Sequence, residues 1–336
     1  MQDNRTALVI GATGGIGGEV AAALQAHGWQ VRGLSRNPRP AQEKRGLLWH
    51  AGDAMNFEDV RRAAEGTALI VHAANPAGYR DWDRLVLPML DNTIAAARTV
   101  GARILLPGTI YNYGPDAFPR LREDSPQHPL TRKGAIRVTM EQRLQQAAES
   151  GVPVLIVRAG DFFGPHSGNS WFSQGLVKAG RPVRRILYPG KPGVGHAWAY
   201  LPDLAEAMVR LVERSDGRAR FETFHFAGHW DGDGTQMIAA IRRAVGNPQL
   251  PVRRFPWTIA TLLSPFVTLF REMRELRYLW QQPLHLDNAA LVQAIGAEPH
   301  TPIDVAVRTT LAGLGCLDEN PRPLIATGYT SSGLST

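Results

Sequence analysis

The chain has 336 residues, 44% hydrophobic and 20% charged, enough apolar material for a sizeable core and too much for global disorder. Its net charge of +7 comes mostly from arginine, in small clusters such as Arg184 with Arg185 and Arg253 with Arg254. No long basic run interleaves with aromatics, which argues against a nucleic-acid partner. Cys316 is the only cysteine, which excludes an intrachain disulfide and a thiolate metal cluster, and no histidine–carboxylate spacing points to a metal site. No basic-then-apolar leader is evident. The most apolar stretch, 255–270, is interrupted by Pro256 and Pro265 and is shorter than the about 20 residues of a membrane span. A cytoplasmic protein without a membrane partner is expected.

In chain order, residues 6–11 read as a buried strand running into a glycine-rich turn, 17–27 as an Ala-rich helix ending at Gly28, and 30–34 as the next strand. Strands at 47–50 and 68–72 flank a helical segment at 57–65. A long amphipathic helix follows at 83–99, then a strand at 103–106, a helix at 131–149 and a strand at 154–157. Strands alternating with helices of this length specify an α/β fold: a Rossmann-type, doubly wound parallel sheet covered on both faces. After Gly164-Pro165 the pattern loosens. Helices are expected at 171–179, 204–213, 235–245 and across 258–280, and a strand at 221–226. The organisation expected is a dinucleotide-binding domain over 1–165, a smaller substrate lobe over 166–317 with some elements returning to the core, and a loose tail over 318–336, rich in Pro, Gly, Ser and Thr.

Gly11-Ala-Thr13-Gly14-Gly15-Ile16-Gly17 follows the first strand and opens the first helix, the context in which a G-x-x-G-x-x-G pattern marks a dinucleotide site. Gly11 permits the tight turn, Gly14 lets the backbone approach a pyrophosphate, and Gly17 allows close helix–sheet packing. The helix N-terminus offers unpaired N–H groups and a positive dipole end to the phosphates. At the end of the second strand, where a carboxylate would hold the ribose 2′-hydroxyl of NAD(H), stand Ser35 and Arg36. A cation there accommodates the 2′-phosphate of NADP(H), so NADP(H) is expected ahead of NAD(H), with Arg32 as a secondary helper. Asp53 is placed to accept from the adenine amine or, equally, to serve as a helix-cap or turn residue. Ala73, Ala74 and Asn75 end the fourth strand with small residues beside which a cofactor can run; Asn75 alternatively serves the turn before Pro76.

These residues resemble the extended, epimerase-like branch of the short-chain dehydrogenase/reductase superfamily over roughly residues 5–310. The marks are GATGGIG, the HAAN segment, Asn92, Pro107-Gly-Thr109-Ile-Tyr-Asn-Tyr113-Gly114, Arg158-Ala-Gly-Asp161-Phe-Phe-Gly164-Pro165, and His196-Ala-Trp-Ala-Tyr200-Leu-Pro-Asp203. The resemblance implies a catalytic Ser or Thr after the fifth strand, matched by Thr109, and a Tyr-x-x-x-Lys dyad whose tyrosine exchanges a proton while hydride moves at the nicotinamide. The dyad is not there. Lys133 occupies the tyrosine place and Arg137 the lysine place, Glu141 aligns with a frequent family glutamate, and no tyrosine lies between Gly114 and Tyr188. The family resemblance also implies a possible homodimer through helices such as 83–99 and 131–149.

Residues 133, 137 and 141 share one helix face, so Glu141 is placed to pair with Arg137. Arg137 can hold ribose hydroxyls but cannot cycle a proton; Lys133, with its pKa pushed down by Arg137 and burial, can act as base or acid. The alternative is that both only position the cofactor or form a charge cluster. Tyr111, two residues from Thr109, is a further acid–base candidate, and Asp161, His166 and His196 lie near the expected substrate cleft. Trp171, Phe172, Trp198, Tyr200, Trp257, Phe266 and Trp280 either line an apolar pocket for an aromatic or hydrophobic small molecule or simply pack the core. Two functions follow: an NADP(H)-dependent oxidoreductase of non-standard proton chemistry acting on a carbonyl, alcohol or activated double bond, or a non-catalytic NADP(H)-binding sensor or scaffold.

Overall fold

Seven parallel strands form the centre of the computed structural model, which describes residues 5–38, 46–76, 81–168, 170–214 and 219–317. They are β1 (Thr6–Ile10), β2 (Gln30–Ser35), β3 (Leu48–Ala51), β4 (Leu69–His72), β5 (Arg103–Thr109), β6 (Val154–Ala159) and β7 (Phe221–Phe226). Their spatial order is β7-β6-β5-β4-β1-β2-β3, so the winding reverses between β1 and β4. All four residues of β4 and all six of β6 are buried, which is why these segments read as mainly apolar, His72 and Arg158 apart: each strand is covered on both faces.

Helices α1 (Gly15–Ala26) and α5 (Leu201–Glu213) cover one face of the sheet. Helices α2 (Phe57–Ala64), α3 (Trp82–Val100) and α4 (Arg132–Glu149) cover the other. The chain after β6 adds small strands beside this core. Asp161–Phe163, His196–Tyr200 and His229–Asp231 make a three-stranded sheet, and Ile186–Tyr188 pairs with Val252–Arg254. Phe163, Phe172, Trp198 and Trp280, all fully buried, centre the apolar cluster of this half. β7 returns to the main sheet, pairing with β6 from Phe221 opposite Val154 to Phe226 opposite Ala159.

Several expected elements change extent. The helix expected at 17–27 begins at Gly15, and the strand expected at 103–106 runs on to Thr109. The helix expected at 171–179 is a single wide turn, Phe172–Leu176. The long helix expected over 258–280 is three pieces, Trp257–Leu263, Thr268–Glu275 and Leu276–Trp280; the first break falls at Pro265, which cannot donate a backbone hydrogen bond and whose ring crowds the preceding turn. The expected tail at 318–336 lies outside the described residues. No helix among the described residues is long and apolar enough to cross a membrane.

A buried polar network joins the two halves under the sheet's C-terminal edge. The Arg158 guanidinium forks onto Glu141, Nε to Oε1 at 3.0 Å and Nη2 to Oε2 at 2.6 Å. Its Nη1 donates to the Tyr113 hydroxyl at 2.7 Å, and Tyr113 donates to His225 Nε2 at 3.0 Å. His225 Nδ1 donates to the Leu121 carbonyl at 3.3 Å. Burial, reinforced by the Arg158 charge, pushes His225 down to about 3, consistent with its neutral role in this chain of bonds. Glu141 thus pairs with Arg158 of β6, a partner that the helix spacing did not point to.

Candidate functional site

The C-terminal ends of β1 and β4 open a cleft of about 480 Å³ at the point where the strand order reverses, the place where open α/β sheets bind ligands. Gly11, Thr13, Gly14, Gly15 and Ile16 line one side. Gly11 has φ +94°, and a Cβ on it would meet the Ala73 carbonyl oxygen at 2.5 Å; a Cβ on Gly17 would meet the Gly11 carbonyl oxygen at 2.3 Å. Gly14 is the N-cap of α1 and no side chain caps the helix, so the first-turn N–H groups remain for a ligand. Ala73 and Asn75 line the cleft opposite. The turn thus fits a dinucleotide pyrophosphate: close packing behind Gly11 and Gly17, and exposed amides in front.

Gly17, Ser35, Arg36, Asp53, Ala74 and Lys133 are not among the residues lining this cleft. Ser35 ends β2, and Arg36 follows it, exposed. Arg32 is spoken for, donating to the carbonyls of Ala63 (3.2 Å) and Glu65 (2.6 Å) at the end of α2. Asp53 forms a turn: its carboxylate accepts from the Met55 N–H at 3.0 Å, and its own N–H donates to Asp59. The α2 cap is Asn56.

The loop after β5 brings Thr109 and Tyr111 to the cleft beside Arg137 of α4. Thr109 Oγ1 accepts the Tyr111 N–H at 3.3 Å, which fixes the oxygen and leaves the hydroxyl proton to point elsewhere. The Arg137 guanidinium lies 5.1 Å from the Trp82 ring centre, a cation–π contact that holds it at the cleft. Lys133, one turn earlier, is only 2% exposed. The cap of α4 explains its depth: Thr131 Oγ1 accepts the Gly134 N–H at 3.0 Å, and Gly134 packs so closely on Tyr111 that a Cβ would come 2.3 Å from its carbonyl oxygen. At the end of β4, burial and the Arg137 charge push His72 down to about 3. Its Nδ1 donates to Thr93 at 2.8 Å.

Two residues expected near the substrate cleft do stand on its wall, and the Asp161–His196 pairing could not be read from the residues alone. Asp161 stands on the wall and pairs with His196 behind it, and Trp171 contributes an aromatic surface. Residues 161 and 196 are too far apart in sequence for any spacing rule to join them; adjacent strands do so. His166, also expected near the cleft, stands at its edge: its carbonyl oxygen faces Gly15, while its ring pairs with Glu19 of α1 and is largely exposed. Among the described residues no group of three His, Cys, Asp or Glu side chains is arranged to hold a metal ion.

A doubly wound sheet with this glycine turn at its switch point defines a dinucleotide-dependent α/β enzyme. The chain belongs to the NAD dependent epimerase/dehydratase family, whose model matches residues 7–226, and it is an NAD(P)-dependent enzyme. It is 27% identical over 282 residues to a 3-diazoavenalumate denitrifying reductase of a Streptomyces species, covering 78% of this chain and 88% of that protein. Its fold is similar to that of a proposed epimerase of Burkholderia cenocepacia J2315, with TM-score 0.74, 23% identity, and 93% and 98% of the two chains covered. It is also similar to UDP-glucose 4-epimerase of Bifidobacterium longum, solved with NAD+ and UDP, with TM-score 0.70, 17% identity, and 91% and 97% covered.

Proposed function

We propose that this protein is an NADP(H)-dependent oxidoreductase acting on a carbonyl, the matching alcohol or an activated double bond of an aromatic or hydrophobic small molecule, with a proton carrier other than tyrosine. The observation that carries this reading is one cleft that holds the glycine turn, Thr109 and Arg137 together with the aromatic surfaces of Trp82, Tyr111 and Trp171. The first-turn amides of α1 hold the pyrophosphate, Asp53 or its turn borders the adenine, and Ser35 with Arg36 holds the 2′-phosphate. Ala73, Ala74 and Asn75 flank the path of the cofactor. When bound, the nicotinamide supplies or accepts hydride. Arg137 holds the ribose hydroxyls, and Thr109 turns its hydroxyl proton toward the substrate oxygen. Lys133 and Tyr111 are the two groups beside them able to move a proton. The protein works in the cytoplasm, as a homodimer through the outer faces of α3 and α4.

Calorimetric titration with NADPH and NADH tests the cofactor assignment. Tight NADPH binding that weakens about tenfold or more in Arg36→Ala, with NADH unaffected, supports it. In an absorbance assay over a carbonyl panel, Lys133→Ala should lose turnover while keeping most of its cofactor affinity, and full activity there would pass the proton to Tyr111. The second reading, a cofactor-sensing protein without chemistry, is favoured by the burial of Lys133 away from the cleft wall. Silence across the panel despite tight NADPH binding would select it.

A further inference from the structure

Asp161 and His196 form a buried pair on the cleft that the hydride chemistry above leaves unused. Their strands, Asp161–Phe163 and His196–Tyr200, are hydrogen-bonded neighbours. The side chains are 6% and 3% exposed, with Nε2 and Oδ2 2.8 Å apart, so one carboxylate oxygen accepts the imidazole N–H. The imidazole cannot swing away. It lies flat against the Trp280 indole, ring centres 3.7 Å apart and planes within 11°, with Trp198 edge-on at 4.9 Å. The second carboxylate oxygen, Oδ1, has no hydrogen-bond partner among the described residues, yet Asp161 is part of the cleft wall. A carboxylate oxygen held rigid on a cleft wall is an acceptor that a donor on a ligand can meet.

The surroundings of that oxygen narrow what the donor belongs to. Trp171 stands on the same wall and is braced by Trp280 at 5.3 Å, Trp257 at 6.0 Å and Phe255 at 6.2 Å. Among the described residues the other charged side chain on the wall is Arg137, which stands over Trp82. At the Trp171 end of the cleft an aromatic surface thus stands with a fixed carboxylate, and a diphosphate placed directly against that carboxylate is repelled.

We infer that Asp161, held in place by His196, is the substrate-anchoring group of this cleft, and that the substrate is an aromatic compound whose ring carries a hydrogen-bond donor, a phenolic hydroxyl or an amine, in place of a nucleoside diphosphate sugar. The inference rests on the oxidoreductase reading for the identity of the cleft and deepens it to a substrate class. Asp161 is a specificity-determining residue: it accepts a hydrogen bond and exchanges no proton.

The test is calorimetric titration of the full chain saturated with NADPH, using 4-hydroxybenzaldehyde, 4-methoxybenzaldehyde and UDP-glucose as probes. A site built around a substrate donor rejects the analogue lacking it strongly, so the hydroxy compound should bind at least about tenfold tighter than its methyl ether, and UDP-glucose should not bind. Asp161→Asn keeps the shape and loses the charge, and should bring the two aldehydes within about threefold of each other, since charge-assisted hydrogen bonds are about twice as strong as neutral ones. Equal binding of the two aldehydes, binding of neither, tight binding of UDP-glucose, or an unchanged preference in a folded Asp161→Asn protein would each overturn the inference. The wild-type preference needs no substitution, so a poorly folding variant does not remove the test. NADPH affinity, measured first, separates the two readings: its loss sinks the oxidoreductase, whereas NADPH binding without the phenol preference sinks only the anchor.

Discussion

Gly14→Ala separates what the glycine turn does for the fold from what it does for the cofactor. Gly14 has φ −84° and ψ 171°, an extended conformation open to alanine. A methyl there would meet only the Gly11 carbonyl oxygen, at 3.3 Å, with no other atom inside 4 Å. The loss in folding stability should therefore be about 1 kcal/mol or less. On its open side the same methyl occupies the space in which a pyrophosphate meets the first-turn amides. Weakening one or two hydrogen bonds to a charged ligand, each worth about 1.5–3 kcal/mol, should cost NADPH at least about tenfold in affinity. Thermal unfolding followed by circular dichroism and NADPH calorimetry on the same sample read the two effects. A folded variant that binds NADPH within about twofold of wild type would refute the placement of the pyrophosphate at Gly14. Gly17→Ala is the internal contrast: its methyl would lie 2.3 Å from the Gly11 oxygen, so that substitution should damage the fold itself.

Glu141→Gln should destabilise the protein by about 3–5 kcal/mol in urea unfolding, because it leaves the buried Arg158 guanidinium without its counter-charge; the double change Glu141→Leu with Arg158→Met should cost less, and an equal or greater cost would argue against that reading. The protein should lose stability on acidification below about pH 6.5. His72 and His225 titrate at about 3 and His229 at about 4 in the folded chain, below the ordinary value of about 6.5, so their stabilising contribution is complete above about 6.5 and falls away as pH approaches the folded values. Between about 6.5 and 4 each neutral-held histidine costs about 1.4 kcal/mol per pH unit, and unfolding midpoints unchanged from pH 7 to pH 5 would contradict it.

The main sheet was readable because its strands obey local rules. The mostly apolar runs at 68–72 and 154–157 and the glycine turn at 11–17 state their own environment. The second half was less readable. Strands as short as Asp161–Phe163 and His285–Leu286 carry too few residues for a period to show, and Pro265 divided what composition alone presented as one helix. The cofactor end of the cleft was legible for the same reason as the sheet, since a strand–turn–helix motif is contiguous. The substrate end was not. The Glu141–Arg158 pair was not legible because helix spacing reports neighbours on one element and is silent about Arg158 arriving from the sheet. Asp161 and His196, 35 positions apart in the chain, meet through strand pairing.

The return of β7 to the edge of the main sheet bears on how such a protein can be taken apart or recombined. Residues 1–165 contain the whole glycine turn but only six of the seven strands. Cut there, β6 would present a bare, unpaired and mostly apolar edge, and Tyr113 and Arg158 would lose His225. The expected result is a fragment that aggregates through that edge instead of a free-standing nucleotide-binding module. Exchange of substrate specificity between relatives by swapping C-terminal halves therefore requires a junction after Phe226, so that the seventh strand and its histidine travel with the sheet they complete.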